Sequence, residues 1–267
     1  MKQRIITGLL GGAAILAILL APATILGIAV ALVSLFALYE LYTAIGLTKK
    51  APLLVIGFLF AIFAVFGEKI SRNLIMPLIF FYIVMLFVIM MIYHQQISFH
   101  DIAVSFFLSA YVLYTMAHIV FVRNLPFGNY SVFLIFVGAF ATDSCAYFSG
   151  TFLGKHKLCP HISPKKTVEG AIGGVLGAVL FFVLLAVVID FAFPVQVNYW
   201  ALLVLGILSG IISEVGDIAA SLIKRQYHIK DFGNVLPGHG GIMDRLDSII
   251  FIAPLVFYFV QYIPIFY

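Results

Sequence analysis

The sequence predicts an all-α, polytopic integral membrane protein, from its composition and from apolar segments along its whole length. Of its 267 residues, 64% are hydrophobic and only 10% are charged, a balance typical of a chain solvated by lipid rather than by water. Apolar stretches of about 17–25 residues recur, each long enough to cross about 30 Å of hydrocarbon as a helix. The stretches are continuous rather than alternating, which argues against a β-barrel.

Nine segments are candidate transmembrane helices, and we expect them to form a single membrane domain of residues 1–267. Within it, residues 1–125 are expected to be a helical scaffold and residues 126–267 to carry the catalytic site. The candidate helices are 5–21, 24–42, 51–67, 73–93, 102–122, 132–150, 170–193, 199–222 and 248–264. Lys2 and Arg4 before the first apolar run could also mark a cleavable signal peptide, but a hairpin of the first two helices explains both runs.

The positions of the fifteen Lys and Arg residues predict the orientation. With nine spans, the N-terminus and the loops after every second span share one side. The basic residues on that side are Lys2, Arg4, Lys49, Lys50, Lys155, Lys157, Lys165, Lys166, Lys224, Arg225, Lys230 and Arg245. The other side has Lys69, Arg72 and Arg123. The positive-inside rule therefore predicts that the N-terminus lies on the cytoplasmic side of a cell membrane. The net charge of +4 follows from this bias and gives no reason to expect nucleic acid as a partner.

Carboxylates are concentrated in the second half of the chain, and this is the main functional signal. The acidic residues there are Asp143, Glu169, Asp190, Glu214, Asp217, Asp231, Asp244 and Asp247. Asp143, Glu214 and Asp217 lie in or at the edge of apolar spans, where an uncompensated charge costs at least roughly 2.5–3.5 kcal/mol. We therefore expect a cation to compensate them.

A polar stripe marks the eighth span. When residues 199–222 continue as a helix, Glu214, Asp217, Ser221 and Lys224 share one face. In one interpretation a carboxylate pairs with Lys224 or Arg225 as the helix leaves the membrane. In the other, the stripe lines a cavity with the carboxylates deep inside and the cations near its mouth.

A glycine-rich loop and the start of the last helix follow this stripe. Four glycines and one proline between His228 and Ile242 favour a tight loop whose backbone can approach a ligand closely. Asp244 and Asp247 share a face at the helix start, where they either cap the helix or reach a ligand. Further polar candidates here are Lys230, Asp231, His239 and Arg245.

This inventory favours a nucleotide-using reaction at the membrane surface. Asp217 and Asp244 offer hard oxygen ligands from two helices, which suits Mg²⁺ completed by substrate phosphates. The neighbouring Lys and Arg residues would hold the rest of a polyphosphate. The sequence has no GxxxxGK[ST] loop and no protein-kinase signature.

A second group of polar residues lies between the sixth and seventh spans. Asp143 lies within the sixth span and Glu169 directly precedes the seventh, and Lys165 and Lys166 stand where an anionic headgroup would arrive. Basic loops of this kind can also be ordinary topology determinants. A run of small residues follows and predicts close helix packing, namely Gly170, Gly173, Gly174 and Gly177.

Residues 221–247 resemble the signature of phosphatidate cytidylyltransferases, also called CDP-diacylglycerol synthases. The matching positions read SLIKR, four residues, KDFG, two residues, LPGHGGIMDRLD, and the upstream ISPKKT with Glu169 and Gly170 is also similar. The resemblance implies transfer of CMP from CTP to phosphatidate in phospholipid biosynthesis, which yields CDP-diacylglycerol and pyrophosphate. It also implies Mg²⁺ held by Asp217 and Asp244, with a second cation possible, and a homodimer in the bilayer.

The resemblance and the charge pattern together give the expected site. The residues expected to be catalytic are Asp217, Asp244, Lys224, Arg225 and Ser221. Those expected to bind CTP or phosphatidate are Lys165, Lys166, Glu169, Asp143, Lys230, Asp231, His239, Arg245, Asp247 and Glu214. A phosphate monoester is largely dianionic at neutral pH, so His239 is not needed as a base. It would either bind phosphate or hold the glycine loop.

Two other functions remain open from the sequence. One is a cytidylyltransferase acting on another lipid phosphate, such as a polyprenyl phosphate. The other is a cation transporter in which Asp143, Glu214 and Asp217 form the path. A transporter predicts polar residues that continue to the outer side, whereas spans six and eight become apolar there apart from small residues such as Ser209.

Overall fold

A computed structural model describes the backbone of residues 2–70, 75–235 and 240–267, with side chains described in 8–61, 76–235 and 240–267. Within this part of the chain there are nine α-helices. They are α1 Lys2–Leu20, α2 Ala23–Ala44, α3 Ala51–Ile70, α4 Ile75–Ile92, α5 Phe99–Arg123, α6 Gly128–Leu153, α7 Val168–Ala192, α8 Tyr199–Gln226 and α9 Met243–Tyr262.

Each predicted span corresponds to one helix, so the prediction of an all-α, polytopic membrane protein is confirmed. The first residues of the span predicted at 73–93 lie outside the described residues. Five described helices, α2, α5, α6, α7 and α8, are long and apolar enough to cross a bilayer on their own. The number of crossings stays a prediction.

A two-stranded antiparallel sheet between α6 and α7 was not predicted. Strand β1, Lys157–Cys159, pairs with β2, Ser163–Thr167. Strands this short carry too little alternation to be recognised in a sequence. The hairpin carries Lys165 and Lys166 on β2.

The chain divides into two compact units. The first contains residues up to Val120 together with Ile229–Asp244, and the second contains Phe121–His228 together with Arg245–Tyr267. The glycine-rich loop and the first residues of α9 thus group with the N-terminal helices. The single membrane domain expected from the sequence stays a prediction.

In the first unit, a buried hydroxyl network joins three helices. The Tyr42 hydroxyl lies 2.6 Å from Ser105 Oγ and 3.0 Å from Ser109 Oγ, and the Tyr82 hydroxyl donates to Ser109 Oγ at 2.8 Å. Because buried polar groups are costly when unpaired, such a network is stable only when α2, α4 and α5 keep this alignment.

In the second unit, small residues allow α6, α7 and α8 to pack closely. A Cβ added at Gly177 of α7 would clash with Cys145 of α6, and one added at Gly210 of α8 would lie 2.7 Å from Cα of Val175. The predicted packing role of the α7 glycines is confirmed. This packing holds the polar face of α8 at a defined position beside α6 and α7.

Candidate active site

The charged centre of the second unit is a lysine between two carboxylates of α8. Lys166 Nζ lies 2.6 Å from Glu214 Oε2 and 2.8 Å from Asp217 Oδ2. We call these three residues the Lys166 cluster. The side chains of Lys166 and Glu214 are 17% and 12% exposed, and that of Asp217 is 32% exposed. A cation therefore compensates the α8 carboxylates, as expected, and it comes from β2.

The cluster changes the protonation equilibrium of its lysine. Burial alone would lower the pKa of Lys166, but the attraction of Asp217 and Glu214 outweighs it and holds that pKa above the ordinary lysine value. Lys166 is therefore a fixed positive charge at physiological pH. It was predicted to bind substrate, and in the structure it contacts Glu214 and Asp217.

Two more carboxylates of the second unit belong to the same electrostatic environment. Asp143 of α6 and Asp247 of α9 each interact electrostatically with Asp217. Asp143 Oδ1 accepts a hydrogen bond from Ser248 Oγ at 3.3 Å, and Asp247 Oδ1 accepts one from Ser248 N at 2.9 Å. Three helices thus contribute acidic side chains to one region, and this concentration of negative charge suits cationic or cation-bound ligands.

The β-hairpin that carries Lys166 is held at its base by Glu169. The Glu169 carboxylate accepts hydrogen bonds from the backbone N–H groups of Lys155 and His156, and lies 2.6 Å from the His156 ring. Thr167 caps α7 by accepting from Gly170 N at 3.1 Å. Glu169 was predicted to bind substrate; the structure gives it the task of closing the hairpin, and the substrate contact stays a prediction.

The cytoplasmic end expected for α8 carries the remaining candidates of the second unit. Ser221 Oγ donates to Asp217 Oδ1 at 3.4 Å, so the polar stripe predicted on this helix is present. Arg225 Nε donates to the carbonyl oxygen of Ile162 at 3.2 Å and so ties α8 to the turn of the hairpin. Lys224 interacts with Asp247. The side chains of Lys165 and Arg245 are exposed.

In the first unit, Asp244 organises the glycine-rich loop. Its Oδ2 accepts hydrogen bonds from Phe232 N at 2.9 Å and from Gly241 N at 3.0 Å. Gly240 has a φ of 80°, in the left-handed region that favours glycine. Asp244 is only 6% exposed, and it fastens both ends of the loop, so it does more than cap its own helix.

The other candidates of this loop are less constrained. Lys230 and Asp231 are exposed, as expected of side chains that meet a ligand from water. His239 lies outside the described residues, together with the rest of 236–239. Its predicted role in phosphate binding or loop structure stays a prediction.

Glu40 is a polar residue of this region that the sequence did not single out. It lies in α2, is 4% exposed, and accepts hydrogen bonds from the backbone N–H groups of Ile242 and Met243. A carboxylate inside an apolar span is a signal in itself. Its partners lie two hundred residues later, so one sequence gives no means to find them.

The carboxylates fit a hard divalent cation. Magnesium prefers a few carboxylate oxygens and takes its remaining ligands from water and phosphate, and the α8 carboxylates already hold a cation, the Lys166 ammonium. Among the described residues, no group of three or more His, Cys, Asp or Glu forms a metal site by itself. The chemistry of the donors agrees with the predicted ion, and its binding stays a prediction.

The fold and these side chains define an integral membrane protein with a lysine and several carboxylates gathered in one region of its second unit. The model of the cytidylyltransferase family matches residues 2–263, so the chain belongs to this family. The chain is 32% identical to the phosphatidate cytidylyltransferase of Bacillus subtilis (strain 168) over 274 aligned positions, which cover 97% of each protein. It is 38% identical to the enzyme of that name from Staphylococcus haemolyticus over 162 positions, 61% of this chain and 60% of the relative.

Proposed function

We propose that this protein transfers CMP from CTP to phosphatidate. An oxygen of the phosphatidate phosphate forms a bond to the α-phosphorus of CTP, and the bond from that phosphorus to the bridging oxygen breaks. Pyrophosphate leaves with the electron pair, and CDP-diacylglycerol remains in the bilayer. The observation that carries the proposal is the match of the cytidylyltransferase family model to residues 2–263, together with the likeness to the Bacillus subtilis phosphatidate cytidylyltransferase. The Lys166 cluster, formed by β2 and α8, supports it as a group of charged side chains in a membrane protein.

The reaction requires charge neutralisation more than acid–base catalysis. A phosphate monoester is largely dianionic at pH 7, since its second pKa is about 6, and so it is already a nucleophile. The barrier comes from bringing two anions together and from the charge that builds up on the α-phosphate and the leaving pyrophosphate. Lys165, Lys224, Arg225, Lys230 and Arg245 are the side chains that we assign to this task.

From the resemblance, we assign Asp217 and Asp244 as the carboxylates that would hold magnesium. When bound, it would neutralise phosphate charge and polarise the reacting phosphoryl group. The basic residues on the predicted inner side support a site at the cytoplasmic surface, where CTP would be available and the acyl chains would remain in lipid. A homodimer in the membrane is part of the same proposal and follows from the resemblance alone.

The decisive experiment measures pyrophosphate release by the full chain purified in detergent. We expect release only when CTP, phosphatidate and Mg²⁺ are all present, with CDP-diacylglycerol formed in equal amount. Polyprenyl phosphate in place of phosphatidate tests the neighbouring substrate class. Activity with that lipid and none with phosphatidate would reassign the substrate, and no turnover with either would refute the proposal.

Two substitutions test the assigned ligands separately. Asp217→Asn and Asp244→Asn keep the size of the side chain but weaken metal binding, so each should lower kcat by about a hundredfold or more. Asp190→Asn is the matched control, because Asp190 is an exposed α7 carboxylate that accepts from the Tyr199 hydroxyl at 3.1 Å. The control should retain full activity. Near-normal rates in both test variants would show that the metal ligands are elsewhere.

A further inference from the structure

The buried carboxylate of Glu40, in the N-terminal half of the chain, contacts the C-terminal end of the glycine-rich loop, where α9 begins. Glu40 Oε1 accepts a hydrogen bond from Ile242 N at 3.0 Å, and Glu40 Oε2 accepts one from Met243 N at 2.8 Å. Both residues belong to the first compact unit. Each carboxylate oxygen thus has its own backbone donor at the point where α9 begins.

These donors are the ones that a helix start leaves without a partner. The first N–H groups of an α-helix have no intrahelical acceptor, and they are usually satisfied by a Ser, Thr, Asp or Asn side chain directly before the helix. Ile242 stands directly before α9, and its side chain has no acceptor. Glu40 supplies the acceptor instead, and its negative charge also interacts favourably with the helix dipole.

At two glycines of the glycine-rich loop, the Glu40 carboxylate lies where a Cβ atom would be. A Cβ added at Gly233 would clash with Glu40 Oε1, and one added at Gly241 would clash with Glu40 Oε2. Neither glycine has a positive φ, so the close approach of Glu40, rather than backbone conformation, explains glycine at both positions. The loop therefore contacts the carboxylate on two sides.

The same loop segments are bound by Asp244. Its Oδ2 accepts from Phe232 N, beside Gly233, and from Gly241 N, beside Ile242. Two buried carboxylates that are far apart in the sequence, Glu40 and Asp244, thus both accept hydrogen bonds from the backbone of the glycine-rich loop and the start of α9. A displaced Glu40 frees the amides at the start of α9, and Asp244 is the second residue of that helix.

We infer that Glu40 is a positioning residue for the active site, which fixes the start of α9 and thereby the orientation of the Asp244 carboxylate. It touches no substrate in this role. The inference rests on the proposed function for its catalytic consequence only. The hydrogen-bond arrangement can be tested on the protein without any substrate.

The first test is amide hydrogen exchange, resolved to single residues, on the full chain in detergent. Glu40→Gln keeps the size of the side chain but turns one acceptor into a donor, and Glu40→Ala removes both acceptors. We expect exchange at Ile242 and Met243 to accelerate by about ten- to a hundredfold in Glu40→Ala, the range for loss of a hydrogen bond to a charged group. Phe232 and Gly241, which donate to Asp244, should also exchange faster.

The second test separates positioning from general stability. Asn198→Ala is the matched control, because Asn198 caps α8 by accepting from Ala201 N at 3.1 Å and lies far from the glycine loop in sequence. Both Glu40→Gln and Asn198→Ala should lower the thermal midpoint. Only Glu40→Gln should lower kcat, by about tenfold or more, and raise the Mg²⁺ concentration needed for half-maximal rate.

A double-mutant cycle tests the fit between Glu40 and the loop. Gly233→Ala should displace the carboxylate and accelerate exchange at Ile242 and Met243 when Glu40 is present. The same substitution should have little further effect in the Glu40→Ala background, because the group that it displaces is gone. Equal effects of Gly233→Ala in both backgrounds would contradict the fit.

The outcomes distinguish this inference from the proposed function. Unchanged exchange at Phe232 and Gly241 in both Glu40 variants would overturn the positioning role, whatever the activity. Accelerated exchange with a wild-type kcat and Mg²⁺ requirement would overturn it as well. If the wild-type protein transfers no CMP at all, the proposed function fails, and the four amides alone decide whether Glu40 positions Asp244.

Discussion

Removal of the Lys166 charge is the most direct test of how the α8 carboxylates are held. Lys166→Met keeps the length and apolar stem of the side chain and leaves Glu214 and Asp217 without the ammonium that lies 2.6 and 2.8 Å from them. An exposed ion pair contributes about 0–1 kcal/mol, whereas breaking a fully buried pair costs about 3–5 kcal/mol. With exposures of 17%, 12% and 32%, the cluster lies between these limits. We expect a loss of about 2 kcal/mol.

The assay is reversible unfolding in mixed micelles, followed by circular dichroism as the fraction of denaturing detergent increases. The double variant Lys166→Met/Glu214→Gln should recover part of the loss, because it removes one of the two stranded charges. A loss below about 0.5 kcal/mol for Lys166→Met, the range of ordinary surface substitutions, would refute the conclusion that the cluster holds β2 against α8.

The pH dependence gives the same reasoning a second check. The folded-state pKa of Lys166 is raised above its ordinary value of 10.5, so its contribution is fully present below that value. It is lost as the pH rises through the raised folded-state pKa. The difference in unfolding free energy between wild type and Lys166→Met should therefore be the same at pH 7 and pH 9. A difference that had already collapsed by pH 9 would contradict the raised pKa.

Three further predictions concern neighbouring positions. Lys165→Ala should leave the unfolding free energy within about 0.5 kcal/mol of wild type but raise KM for a substrate in steady-state assays; an unchanged KM would make Lys165 only a topology determinant. Gly216→Ala places a Cβ 2.5 Å from the Asp247 carbonyl oxygen, so micelle unfolding should show a loss of about 1–3 kcal/mol, and a neutral result would mean that α8 and α9 can separate without cost. Glu169→Gln should accelerate amide exchange at Lys155 and His156, which donate to its carboxylate, while exchange at Ala201 serves as the unaffected reference.

Most of the helical fold could be predicted from the sequence, because the bilayer imposes a minimum length on each apolar run. The predicted start of the eighth span at Tyr199 is the observed start of α8. Its end differs, since the helix continues to Gln226 rather than to Leu222. A helix can keep its backbone hydrogen bonds in water, so it need not end at its last apolar residue. The long basic side chains of Lys224 and Arg225 then extend toward the surface. For the same reason α9 begins at Met243, five residues before the apolar run predicted at Ser248.

The candidate site was only partly predictable, because charge clustering in sequence does not identify partners. The α8 stripe pointed to Glu214 and Asp217, yet the expected local partners were Lys224 or Arg225, seven to eleven residues away. The cation that contacts them is Lys166, brought there by a hairpin too short to be recognised. Pairing between distant segments requires the tertiary fold, and one sequence does not contain that information in readable form.

Glu40 and Glu169 show a common way of fixing polar segments to membrane helices. Each lies on a helix, in the first and second unit respectively, and each accepts two backbone N–H groups from a segment that carries predicted site residues. Glutamate suits this task because its longer side chain reaches beyond the helix surface to backbone that has no local cap. Glu→Asp at either position keeps the charge but retracts the carboxylate by one methylene, roughly 1.5 Å. We expect the amides that donate to Glu40 or Glu169 to exchange faster in the Glu→Asp variant than in the wild type, although the negative charge is kept. This result would show that the length of the glutamate side chain is required as well as its charge.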